Sequence, residues 1–311
     1  SGSTGTIQIA GTSGSRSCVV EAQYGAGSWT SIATASGSFT GTLTGPHGDG
    51  ELHARCVGDA GYYTVPNVGI GQVYLVAGQS NAVGQGTSAQ TFSRAGANVH
   101  CGVLKNDGLW HECRDNIDDF TNDAAAGRPG DYTAGAGSVW PLVGNAITAY
   151  TGDPVAFIAC ANGTTTSAQW QPGVSHTDIT TLYGWCVTQA NAAGGVNAVL
   201  WHQGESDALA SVSSGTYETN EQAIADGFYA DITGHPSTII TLLQNCSGIG
   251  ATPQANIKTA KQYDIAHDAH CLLGADLSDL TTDDSYHLTT NGHLSTWGAR
   301  EAAAIETALG L

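Results

Sequence analysis

Val73-Tyr74-Leu75-Val76-Ala77-Gly78-Gln79-Ser80-Asn81 opens on a continuous apolar run and breaks at a glycine into three polar residues. Apolar side chains at consecutive positions suit a strand covered on both faces, as in a parallel sheet. The break predicts a tight strand-to-helix turn, with Gly78 allowing close backbone approach and the Ser80 hydroxyl raised above the sheet edge. Four further runs read as buried strands: Val155–Cys160, Ala198–Trp201, Thr238–Leu243 and Cys271–Gly274. Helix-length segments lie between and after them, at Pro141–Tyr150, Asp178–Ala193, Thr216–Thr233, Pro253–Asp268 and Thr290–Leu309. Pro141 and Pro253 sit where helix starts tolerate proline. Strand–helix alternation from residue 69 to 311 predicts an α/β domain, a parallel sheet with helices on both faces. Asn81–Ser138, rich in Gly and Asp, reads as a long irregular loop over the site.

Residues 1–68 have a different texture. Short alternating pieces such as Thr6-Ile7-Gln8-Ile9 and Glu51-Leu52-His53-Ala54-Arg55-Cys56 are separated by Gly, Ser and Asp clusters. They predict a small antiparallel β-sandwich. Its core is meagre, and a Cys18–Cys56 bridge would compensate. The eight cysteines contain no C-x-x-C pair, and their spacing suits sequential bridges 18–56, 101–113, 160–186 and 246–271. Cys160, which ends an apolar run, has a second reading as a small buried thiol. Disulfides, the start at Ser1 and the lack of an apolar leader lead to the expectation of a mature secreted or trimmed chain.

The 311 residues carry 27 Asp+Glu against 9 Lys+Arg, a formal charge of −18. Such a chain repels phosphate backbones and anionic lipid, which argues against nucleic-acid and membrane partners. No apolar stretch approaches the length needed to span a bilayer. At 41% hydrophobic residues the chain can fill a core. Oligomeric state is not legible.

Ligands in open parallel sheets bind at the carboxyl ends of the strands. The strand at 155 runs into Ala161-Asn162-Gly163-Thr164-Thr165, and the one at 198 into His202-Gln203-Gly204-Glu205-Ser206-Asp207. Asp284-Ser285-Tyr286-His287 precedes the last helix. A serine hydroxyl needs a base to become a nucleophile. His287 is the candidate, and Asp284 three residues earlier can hold its Nδ1 proton. Asp283 and His293 are the rivals. The backbone N–H groups of Ser80 and Gly163, with the Gln203 side chain, are candidate oxyanion donors. No cation occurs in these motifs, so the donors must be neutral. Asn81, Thr164, Trp170 and Glu205 are candidate substrate contacts, with Trp170 and Trp140 as a sugar-stacking wall. Glu205 and Asp207 also read as structural, two residues apart on a loop. No metal or cofactor motif is present: there is no Walker loop, G-x-G-x-x-G or H-E-x-x-H. Asn162 and Asn245 match the glycosylation pattern, Asn162 being expected bare and Asn245 the better acceptor.

Taken together, Gly78-Gln79-Ser80-Asn81, Gly163-Thr164, Trp201-His202-Gln203-Gly204-Glu205 and Asp284/His287 resemble the SGNH hydrolase superfamily. Within it they are similar to the sialate O-acetylesterase branch, which includes acetylxylan esterases of carbohydrate esterase family six. The resemblance covers about residues 69–305 and includes the preceding β domain. It implies a three-layer α/β/α fold, Ser80 as nucleophile, His287 as base, Asp284 as its orienter, Gly163 and Gln203 as oxyanion donors, and acetylated carbohydrate as substrate. Ala82 stands where the branch has Met, and Asn162 replaces the first Gly of Gly-Gly-Thr. The second of these puts the shape of the acceptor pocket in question. Two other readings remain open: a glycan-binding or adhesion module with a vestigial site, and a lipase or thioesterase. The polar 81–138 loop, with no apolar lid, disfavours the latter.

Overall fold

In a computed structural model, residues 3–93, 100–117, 137–234, 241–245, 251–284 and 286–311 are described, without side chains at 241–245 and 251–254. The chain divides into two compact units. One holds Ser1–Gln72 with Arg94–His100 and Gly152–Val155; the other holds Val73–Ser93, Cys101–Thr151 and Ala156–Leu311.

The first unit contains six antiparallel strands: β1 (Thr4–Thr12), β2 (Cys18–Tyr24), β3 (Thr30–Ala35), β4 (Ser38–Pro46), β5 (Gly48–Cys56) and β6 (Tyr63–Ile70). They form a two-stranded sheet, β1-β4, and a four-stranded sheet, β3-β2-β5-β6. In β2 buried and less buried positions alternate strictly, the mark of a strand with one face in the core. Ile9, Ala22, Tyr24, Leu43, Leu52 and Ile70 make one small apolar cluster from both sheets. So small a core gains much from a covalent tie. Cys18 and Cys56, 38 residues apart, are bridged. Replacing both by serine is expected to remove about 2–4 kcal/mol from this unit, by freeing the unfolded loop. Chemical denaturation followed through Tyr and Trp emission measures the loss, and an unchanged midpoint would refute it.

The second unit is built on a seven-stranded sheet in the order β13-β12-β11-β7-β10-β8-β9. The strands are β7 (Gln72–Gly78), β8 (Cys101–Leu104), β9 (Trp110–Glu112), β10 (Val155–Ala159), β11 (Ala198–His202), β12 (Thr241–Asn245) and β13 (Cys271–Asp276). β7, β11, β12 and β13 run parallel, and β8–β9 is an antiparallel hairpin at the edge. Every residue of β11 is buried, as expected for a strand with helices on both faces. The helices are α1 (Ser80–Val83), α2 (Trp140–Thr151), α3 (Leu182–Ala192), α4 (Glu205–Leu209), α5 (Ser214–Asp231), α6 (Ala251–His267) and α7 (Asn291–Leu309). In α7 the buried residues Leu294, Trp297, Gly298, Glu301, Ala302 and Ile305 follow the 3-4 spacing of one helix face. Thr290 caps its start and Gly310, at φ 64°, its end. None of the described helices is long and apolar enough to cross a membrane.

Three features depart from the sequence reading. The segment 81–138 contains the β8–β9 hairpin, turned through Asp107-Gly108 with Gly108 at φ 77°. Helix α3 begins at Leu182 rather than Asp178, because the Asp178 side chain accepts the Thr180 N–H in a turn and Thr181 caps the helix. The expected bridges 101–113 and 160–186 are not formed. Cys101 and Cys113 lie side by side as buried thiols, burial and the neighbouring thiol raising the Cys101 pKa. The Cys186 thiol faces the Cys160 carbonyl oxygen at 3.8 Å. The 246–271 bridge is not formed either: Cys271 is a buried free thiol that donates to Asp268 Oδ2 at 3.6 Å. Cys246 and most of the Asn245 sequon lie outside the described residues.

Candidate active site

β7 is the middle strand of the sheet, with β10 on one side and β11 on the other. The chain order therefore reverses at its carboxyl end, where an open α/β sheet leaves a crevice. Three loops meet there through backbone bonds. Gln79 N–H donates to the His202 carbonyl (2.8 Å), and Asn162 N–H to the Gly78 carbonyl (2.9 Å). Gly78 adopts φ 123°, and a Cβ on it would lie 2.0 Å from the His202 carbonyl oxygen. Only glycine fits this approach. Ser80 follows as the first residue of α1 and is 7% exposed.

The loop before α7 supplies the partners. His287 Nε2 lies 3.0 Å from Ser80 Oγ, and its Nδ1 lies 2.8 Å from Asp284 Oδ2. Asp284 Oδ1 accepts the Tyr286 and His287 backbone N–H groups, each at 2.7 Å. The three-residue spacing thus wraps the chain around the carboxylate and points the imidazole along it. Partial burial acts to raise the Asp284 pKa, but the Tyr286 N–H, the imidazole and the His287 N–H hold it below the ordinary value. Hydroxyl and carboxylate thus each stand within hydrogen-bond distance of the imidazole, on its two nitrogens.

The rivals Asp283 and His293 bond to each other instead. Asp283 Oδ2 lies 2.9 Å from His293 Nδ1 and accepts the Thr289 and Thr290 N–H groups at 2.6 and 2.8 Å. Its N–H donates to the His287 carbonyl. Desolvation opposes ionisation here, yet the Thr290 N–H, His293 and the Thr289 N–H bring Asp283 down to about 2. The pair ties the Asp284–His287 loop to the start of α7.

Five candidates from the sequence are placed elsewhere. Gln203 is fully buried, and its Nε2 faces Asp207 Oδ2 (2.6 Å), the Thr165 carbonyl (3.0 Å) and Gln79 Oε1 (3.2 Å). Two amide hydrogens face three internal acceptors, so the Gln203 side chain is engaged inside the turn rather than presented to the crevice. Asn81 donates to Glu205 Oε1 (2.7 Å) and the Tyr286 carbonyl (3.1 Å) and accepts from Leu288 N–H (3.1 Å). It clamps the serine turn to the histidine loop, leaving no role in contacting substrate. Glu205 is 2% exposed, its Oε1 2.7 Å from both Asn81 Nδ2 and His202 Nε2, which makes it internal as well. Trp170 has no exposed surface, donates to Thr165 Oγ1 and packs edge-on against Trp201 at 5.2 Å. Trp140 is equally enclosed and donates to the Ala82 carbonyl. Neither tryptophan can stack on a sugar.

Gln79 escaped notice in the sequence although it lies inside the motif. Its Oε1 accepts from Gln203 Nε2 and from the Gly204 and Ser206 N–H groups, which joins the β7 turn to the start of α4. Gly163 is buried in the loop that follows β10. Thr164 beside it is exposed and holds φ 59°, an uncommon conformation for a β-branched residue and one that gathers at functional sites. Among the described residues, Asp226, Asp268 and His270 have ligand atoms within 4.8 Å of one another, but none belongs to the strand-end loops.

Glu205 gives the site a pH signature. Burial would raise its pKa; the His202 imidazole and the hydrogen bonds from His202 and Asn81 overcome this and lower it from 4.5 to about 2. A depressed carboxylate contributes stability that is present above its unfolded pKa and lost as pH falls through the folded one. Stability of the wild type is therefore expected to drop between about pH 4.5 and 2, and that slope to flatten in Glu205→Gln. Urea midpoints across this range measure it; identical slopes would refute the assignment.

A family model described as carbohydrate esterase, sialic acid-specific acetylesterase, matches residues 70–306. Comparison with curated proteins found no match. A structure of a novel carbohydrate acetylesterase from Xanthomonas citri is similar at 17% identity and a TM-score of 0.70, covering 98% of this chain and 72% of that one. A protein from Arabidopsis thaliana is similar at 18% identity and a TM-score of 0.59, covering 77% of this chain and 99% of that one. At these identities the two structures establish a shared fold.

Proposed function

Because the chain belongs to the carbohydrate esterases of the sialic acid-specific acetylesterase family, we propose that it removes O-acetyl groups from carbohydrate through an acyl-enzyme on Ser80. The observation that carries this reading is the line from Asp284 Oδ2 through His287 to Ser80 Oγ, with contacts of 2.8 and 3.0 Å. His287 Nε2 takes the hydroxyl proton as Oγ attacks the ester carbonyl carbon. Asp284, ionised at neutral pH, fixes the imidazole's orientation and stabilises the imidazolium. The oxyanion is met by the Ser80 and Gly163 N–H groups. Collapse expels the sugar oxygen, which takes the proton from His287 and leaves acetyl-Ser80. Water, deprotonated by the same imidazole, then releases acetate. With Gln203 turned inward, it acts by holding the 203–207 turn rather than by touching substrate.

The Cys18–Cys56 disulfide supports an oxidising, extracellular setting. The contact between Ser80 and His287 also weighs against a vestigial site. Quenching the enzyme during turnover of an acetate ester and mapping its peptides tests the mechanism. Acetyl is expected on the peptide bearing Ser80; turnover with that peptide unmodified throughout would overturn the reading.

A further inference from the structure

Tyr286 lies immediately before His287 in the loop that supplies the imidazole. Its main chain is fixed on both sides: the N–H donates to Asp284 Oδ1 (2.7 Å), and the carbonyl accepts from Asn81 Nδ2 (3.1 Å). Its ring centre is 6.1 Å from that of His287, at an interplanar angle of 77°. Yet the residue is 39% exposed. The tryptophans that the sequence offered for stacking are enclosed in the core. An exposed ring on a rigid main chain loses little freedom on binding, which favours its use as a contact surface. A pyranose presents an apolar C–H face rimmed by hydroxyls, the complement of a phenol with an apolar body and a polar tip.

The charges at this edge narrow the ligand further. Asp283 and Asp284, on the loop that carries Tyr286, have the imidazoles of His293 and His287 as their side-chain partners and no Lys or Arg. A ligand carboxylate placed here would meet like charge without a permanent cation to offset it.

We propose that Tyr286 is a substrate-binding residue, the platform on which an uncharged acetylated pyranose rests while its ester reaches Ser80. This rests on the reading of Ser80 as the nucleophile. The test compares acetylated methyl xyloside with vinyl acetate, which has no ring to stack. In Tyr286→Ala the ratio of kcat/KM for the xyloside to that for vinyl acetate is expected to fall about three- to tenfold, the loss appearing in KM. Tyr286→Phe keeps the ring and is expected to keep the ratio. An unchanged ratio in Tyr286→Ala would overturn the proposal. So would an equal fall in kcat on both substrates with a shifted pH profile, which would make the ring a support for His287. Faster hydrolysis of an O-acetylated sialic acid than of the xyloside would overturn the uncharged class. If wild type releases acetate from none of them, the nucleophile reading falls. Calorimetric binding of acetylated methyl xyloside to Ser80→Ala, with and without Tyr286→Ala, then decides the platform separately: weaker binding without the ring supports it, equal or absent binding overturns it.

Discussion

Ser80→Ala is expected to lower kcat on an acetate ester by at least about 10⁴-fold, the scale on which loss of a nucleophile abolishes acyl transfer. The fold should survive. The substitution removes one hydroxyl, and the hydrogen bond lost, to His287 at 3.0 Å, costs no more than about 1.5 kcal/mol. His287→Ala should lose a comparable factor, and the double variant little more than either single one, because the two groups act as a unit. Acetate release beside a thermal melt separates the two effects. Activity above about a hundredth of wild type in a folded Ser80→Ala protein would mean that Ser80 is not the nucleophile.

Gly78→Ala is expected to be severely destabilising. The added methyl carbon would lie 2.0 Å from the His202 carbonyl oxygen and 2.5 Å from its carbon, at φ 123°. Neither atom belongs to a side chain that can rotate away; both are backbone at the end of β11, in the sheet centre. Combining backbone strain with displacement of a buried strand, the loss should exceed about 4 kcal/mol. Any folded fraction should also lose activity, since the Gln79–His202 backbone bond that sets the turn is broken. A denaturation midpoint close to wild type would show that the two strand ends do not meet as described.

Much of this was legible because two kinds of signal are local. The Val73–Ala77 run marks a buried strand, and Gly78 marks the turn that raises Ser80. Asp284 and His287 are three residues apart, so their bond closes within one loop and can be read from spacing. The β8–β9 hairpin was missed, although Asp107-Gly108 is a turn signal that could have found it; the glycine-rich stretch around it obscured it.

Direction and depth were not legible. Gln203, Asn81 and Glu205 lie in the right motifs, but whether each side chain faces the crevice or the interior depends in part on partners far off in the sequence: Gln79 for Gln203, and Asn81 and Glu205 for each other. Asn81 meets Glu205 across 124 positions and the Tyr286 carbonyl across 205. Trp170 looked like a sugar wall because it is large and near a strand end. Packing against Trp201 encloses it, and its place as platform passes to Tyr286. Equally, the even cysteine count suggested four bridges, whereas bonding depends on geometry that spacing does not fix.

The sequence by itself determined the class of fold and the acidic composition without cations in the motifs, and it singled out Ser80, His287 and Asp284, which the fold brings into contact. Periodicity, charge and short spacings are properties of neighbouring residues. Only the tertiary structure decided which polar groups at the sheet edge are spent on one another and which remain turned outward. Hydrogen-bond donors and acceptors are satisfied by whatever the fold brings near, and a buried group left unpaired costs more than the bond it would make. That accounting turned three expected substrate or oxyanion contacts into braces for the serine turn.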